Sequence, residues 1–93
     1  VFMIEFSVLL YAKEGRSEAL AEALLPLVKE SQKEDGAIMY DLHASETELY
    51  IITEKWLNQE ALDRHEATPH FSSFQAAAEK LVDKVVRLPK VVL

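Results

Sequence analysis

The 93-residue chain predicts an α+β fold, a ferredoxin-like β-α-β-β-α-β sandwich with an antiparallel sheet. Three observations carry that expectation. Strand-like apolar runs stand at the start, in the middle and at the end of the chain. Stripes of apolar residues at helical spacing lie between them. Turn and cap signals at Gly15, Asp35-Gly36 and Thr68-Pro69 separate the runs.

Residues 1–11 read as the first strand, because Phe2, Ile4, Phe6, Val8 and Leu10 are all apolar at even positions. Residues 12–16 make a turn. Ser17 is the expected N-cap of a helix reaching to about Glu34, with Leu20, Leu24, Leu27 and Val28 on one stripe and Pro26 kinking it. Residues 37–43 and 49–57 are expected strands, joined by a polar loop over 44–48. Period-two alternation puts Tyr50, Ile52, Glu54 and Trp56 on one face. A simple hairpin adds Ile38, Tyr40 and Leu42 to it and turns His43 to the other, unless a bulge intervenes. Asn58 caps a short helix to about Ala67, and Thr68 with Pro69 starts a second. Phe71, Phe74, Ala78, Leu81 and Val85 form the stripe of that second helix. Residues 85–93 read as the last strand, with Pro89 implying an edge or a bulge.

A chain this short predicts one domain over residues 1–93. Hydrophobic residues make up 49% of it, more than one small core needs, so a second buried surface is expected. The sheet face away from the helices carries Met3, Leu9, Met39, Leu49 and Ile51, and a second copy of the chain covering it would make a homodimer. A net charge of -6 argues against nucleic acid and anionic membrane as partners. Lys80, Lys84, Arg87 and Lys90 are read as a solvated face. With no cysteine, disulfides, thiolate catalysis and Cys-based metal sites are excluded. No signal peptide or membrane span is read, and the cytoplasm is the expected location.

Chemistry concentrates in residues 56–74, WLNQEALDRHEATPHFSSF, which hold the one Trp and two of the three His. His70, at the second position of its helix, is a candidate general base. His65, near the end of the preceding helix, points toward the sheet and Trp56. Their placement on either side of a helix break suggests separate acid and base roles. Trp56 has one indole N–H to offer a substrate oxygen. Glu54, beside it on the covered face, needs a partner or an upward pKa shift. His43 is a candidate ligand or base at a strand end. No metal is expected, because His65 and His70 are five residues apart across a break and no H-E-x-x-H occurs. With Gly15 and Gly36 the only glycines, no phosphate loop or dinucleotide site exists, and no G-x-S-x-G elbow is present.

Four segments carry a family resemblance over nearly the whole chain: AKEGRSEAL, EDGAIMYDLH, YIITEKW and EALDRHEATPHFSSF. The chain resembles the antibiotic biosynthesis monooxygenase family of dimeric α+β barrels, which includes quinol monooxygenases. That resemblance implies a monooxygenase without metal, flavin or nicotinamide, acting on a small aromatic polyphenol or quinol with dioxygen. It assigns Trp56 as donor, His65 or His70 as base, and Tyr40, Phe71 and Phe74 as pocket walls; His43 and Glu54, read from the residues themselves, are further candidate substrate contacts. Heme-degrading relatives are disfavoured, since Gln75 stands where their heme-ligating His is expected. Two alternatives stay open: an acid–base isomerase of a small carbonyl metabolite, and a non-catalytic small-molecule-binding dimer.

Overall fold

The computed structural model describes residues 2–90. The elements run β1 (Ile4–Ala12), α1 (Ser17–Ser31), β2 (Ala37–Glu46), β3 (Leu49–Trp56), α2 (Gln59–Glu66), α3 (Pro69–Leu81) and β4 (Val82–Pro89). The four strands form one antiparallel sheet in the order β2-β3-β1-β4, with α1 and α3 packed together on one side. This is the expected ferredoxin-like plan.

The sheet's alternation decides what faces the helices. Phe6, Leu10, Tyr40, Ile52, Glu54 and Trp56 turn inward and are buried, and Leu20, Leu24 and Leu27 of α1 pack over them. The pairing of Phe6 with Glu54, and of Tyr40 with Glu54, puts that carboxyl in mid-sheet.

Five local expectations are corrected. Helix α1 ends at Ser31, three residues short of Glu34, with Pro26 inside it as expected. Ser17 is not its N-cap; Arg16 holds that position, and the Ser17 hydroxyl instead donates to the Thr47 carbonyl. The β2–β3 ladder extends to Glu46, so the loop shrinks from 44–48 to Thr47 and Glu48. A register shift between Ala37 and Met39 throws Ile38 out of the covered face, leaving it 51% exposed. Val85, assigned to the stripe of α3, belongs to β4, because α3 stops at Leu81. Positions 1 and 91–93 of the expected outer strands lie outside the described residues. The caps Asn58 and Thr68 are as expected, accepting from the backbone N–H of Ala61 and Phe71.

Candidate active site

A cavity of about 760 Å³ lies between the covered face of the sheet and α3, a size typical of small-molecule sites. Val8, Leu10 and Ile52 of the sheet and Phe71 and Phe74 of α3 give it apolar walls. Tyr40, Glu54 and His65 bring polar atoms to the interior, and Gln75, Glu66 and Arg87 also line it.

His65 is held by a chain of backbone decisions. Gly36 has φ +84°, and a Cβ there would meet the Ala61 side chain at 2.6 Å, so only glycine lets residues 34–36 press against α2. The Leu57 N–H donates to the Gly36 carbonyl at 2.8 Å and fixes that contact. Glu34 is thereby carried to the α2–α3 junction. Its Oε2 lies 2.7 Å from His65 Nδ1 and 2.7 Å from His70 Nε2. A carboxylate offers only lone pairs, so both facing ring nitrogens carry the proton and donate. In the neutral ring the Nε2 of His65 is then a bare lone pair, buried and without a hydrogen-bond partner among the described residues. Aromatic rings enclose it: Trp56 at 4.6 Å, Phe71 at 5.0 Å and Tyr40 at 5.2 Å between centroids.

His65, His70 and Glu34 also offer three ligating atoms within 4.8 Å of one another, a set that could hold a metal ion. The expectation of no metal rested on the spacing of the two His and the lack of an H-E-x-x-H motif, and the fold meets the first ground by adding Glu34. The protonation chemistry argues the other way. A metal on Nδ1 would drive the ring proton to the sealed Nε2, and a buried N–H without an acceptor is the costlier orphan.

Trp56 is fully buried and does not line the cavity among the described residues. Its indole N–H donates to Glu54 Oε1 at 2.9 Å. The expected donor to substrate is therefore already committed, because an indole has only one N–H. Glu54 is 5% exposed, and burial pushes its carboxyl up to about 7, against the Trp56 hydrogen bond and the charge of Arg87. The cation lining the same cavity is engaged elsewhere: Arg87 donates to Glu66 at 3.3 Å and lies 4.0 Å over the Phe6 ring. Burial, reinforced by the charge of Glu54, raises the Tyr40 phenol well above its ordinary value, so it stays an O–H.

Of the residues expected in the site, Tyr40, Glu54, His65, Phe71 and Phe74 line the cavity. His70 does not; it lines a separate hollow with Ala23, Pro26 and Leu27 between α1 and α3, and reaches the site through Glu34. His43 is placed away from it altogether. It pairs with Ile51 on the opposite sheet face and is exposed, because the bulge falls at Ile38, before it, and leaves the register through Leu42 and His43 regular. Glu34 and Arg87 are the residues that sequence reasoning missed. Glu34 is one acid among sixteen acidic residues, and only its place before Gly36 distinguishes it.

A family model described as antibiotic biosynthesis monooxygenase matches residues 3–77. The Bacillus subtilis protein YcnE, whose name makes it a candidate monooxygenase, is 37% identical over 71 residues, 74% of each chain. The crystal structure of PA3566 from Pseudomonas aeruginosa superposes with a TM-score of 0.94 at 32% identity, covering 100% of this chain and 96% of that one. SO0527 from Shewanella oneidensis superposes with a TM-score of 0.88 at 28% identity, covering 95% and 88%.

Proposed function

Because this chain belongs to the antibiotic biosynthesis monooxygenase family, we propose that it is a monooxygenase that oxidises a small aromatic polyphenol or quinol with dioxygen and needs no metal, flavin or nicotinamide. The single observation that carries this reading is the bare Nε2 of His65, on a ring that lines an apolar cavity and is fixed from behind by Glu34. Such a nitrogen is a general base whose tautomer is already set. It takes the proton of a phenolic hydroxyl when a substrate parts the rings that seal it from the cavity. The electron-rich anion then passes an electron to dioxygen. The substrate supplies all the electrons: one oxygen atom enters the ring, the other leaves as water, and a quinol becomes a hydroxylated quinone. Apolar walls favour this by excluding water from the anion and from reduced oxygen. His70 acts through Glu34, as the second donor that holds the carboxylate in place.

The homodimer belongs to the same reading. The uncovered sheet face carries Leu9, Met39, Leu49, Ile51 and Leu88, a surface suited to a second copy of the chain. Among the described residues no helix is long and apolar enough to cross a membrane, and the cytoplasm is the proposed location.

Oxygen uptake by metal-free, flavin-free protein with a panel of hydroquinones and dihydroxynaphthalenes tests the activity. Uptake that falls on the order of a hundredfold or more in His65→Ala is expected. Uptake unchanged in that variant would remove His65 from the mechanism. A second reading, an acid–base isomerase, draws support from Glu54, a second titratable group in the same cavity. Turnover of a carbonyl substrate without oxygen would favour it.

A further inference from the structure

The cavity holds a carboxyl that base catalysis by His65 does not use. Glu54 sits in mid-sheet among apolar neighbours, where a Leu or Val would pack at no desolvation cost. Only one of its oxygens is accounted for: Oε1 accepts from Trp56, while no protein donor among the described residues reaches Oε2. Oε2 is not among the sealed polar atoms either, so it opens on the cavity that Glu54 lines. Trp56 links this carboxyl to the base, with its N–H on Glu54 and its ring against that of His65 at 4.6 Å. Both side chains line one cavity: Oε2 of Glu54 opens on it, and Nε2 of His65 lies sealed behind the surrounding rings.

We propose that Glu54 is a catalytic residue in its own right, a neutral carboxylic acid that donates a hydrogen bond from Oε2 to a carbonyl or hydroxyl oxygen of the substrate. Trp56 is then a positioning residue, which holds Oε1 as acceptor and so leaves the proton on Oε2. The inference rests on the oxygenase reading for the role of His65, and it deepens that reading. The base takes a proton from one substrate oxygen while the acid holds another, so the pocket selects an aromatic ring bearing two oxygens on different carbons. When the ring becomes a quinone, the acid stays paired with an oxygen that is still an acceptor. A carboxylic acid kept neutral in an apolar site is an established kind of oxyanion-hole donor.

The surroundings favour the neutral form. From β2 the group facing Glu54 is Tyr40, an un-ionised phenol, and from β1 it is Phe6. From β4 it is Arg87, whose guanidinium is shared with Glu66. The charges of Glu66 on α2 and Glu34 in the α1–β2 loop oppose ionisation, and His65 completes the set. Burial is the largest influence, and it holds the group protonated up to about pH 7.

Duroquinone is a suitable probe, since it has two acceptor oxygens, no acidic proton and no free ring position. Its binding needs neither oxygen nor turnover, so failure here and failure of the oxygenase reading are separate results. Calorimetric titration of the wild-type protein should give an affinity that falls on the order of tenfold as pH rises through the Glu54 titration, as the donor becomes a repelling carboxylate. Glu54→Gln keeps an acceptor for Trp56 and a permanent N–H donor, so its affinity should stay level across the same range. Difference infrared spectra, wild type minus Glu54→Gln, should contain a protonated carboxyl band that disappears over the same pH interval. In Trp56→Phe the hydrogen bond that favours the carboxylate is gone, and the midpoint of that band should move upward; a merely structural Trp56 would leave it in place. No duroquinone binding at any pH, the same pH dependence in Glu54→Gln as in wild type, or no protonated carboxyl band would each overturn the proposal.

Discussion

The two faces of the sheet are built from the same alternation and handle burial in opposite ways. Ile51 and Ile52 are chain neighbours on β3. Ile52 points under the helices and is 3% exposed, whereas Ile51 points to the uncovered face and is only partly buried. On the covered face, apolar packing surrounds a few polar side chains, and two of them keep an unspent atom, Nε2 of His65 and Oε2 of Glu54. The other face carries Leu9, Met39, Leu49, Ile51 and Leu88 around scattered polar residues, the exposed His43 among them. The difference teaches that the surplus of hydrophobic residues in this small chain serves two ends. One face encloses a reactive cavity, and the other is suited to association.

Single changes can sharpen that contrast. The largest effect is expected from Ile51→Asp, which buries an unpaired charge if a second copy covers this face. It should dissociate the dimer and lower its stability by about 3 kcal/mol or more, read by light scattering and urea unfolding. A wild-type monomer at micromolar concentration would break the account of this face. Ile52→Ala, one residue away, should cost about 3 kcal/mol through a core void and leave the oligomeric state as it was.

Glu54→Gln comes next, and its sign depends on pH. The folded protein raises this carboxyl from 4.5 to about 7. Its stabilising contribution is therefore complete below pH 4.5 and lost as pH rises through about 7. The glutamine has no proton to lose. The variant should match wild type near pH 4.5 and exceed it at pH 8 by up to about 3 kcal/mol, measured by urea unfolding at both values. A variant less stable than wild type at pH 8 would mean that the ionised carboxylate is well solvated in the cavity. The smallest effect, about 1 kcal/mol, is expected for Asn58→Ala, which removes the cap that starts α2 and should leave the sheet and its open face unchanged.

The sequence makes the covered face legible to the extent that alternation and caps control it. Tyr50, Ile52, Glu54 and Trp56 share a face because a strand repeats every two residues, and α2 and α3 start where Asn58 and Thr68 can accept a backbone N–H. The bulge at Ile38 had no such signal, since an apolar residue fits either side of a slip. The site's hydrogen bonds were hidden for another reason. Glu34 meets His65 and His70 across 31 and 36 residues of chain, and its place before Gly36 is the one local mark that sets it apart. Reading the two His from their helix ends suggested separate roles, whereas the fold gives them one shared carboxylate. Trp56 and Glu54 were legible as neighbours, but not the hydrogen bond that takes the indole out of substrate binding.

The most direct test is nitrogen-15 NMR of the His65 ring in the wild-type protein, with Glu34→Gln as the comparison. The account predicts a proton on Nδ1 donated to Glu34 and a non-protonated Nε2, with the preference for that tautomer weakened in the variant. A proton resident on Nε2 of neutral His65 in the wild type would leave the cavity without its base and contradict the account at its centre.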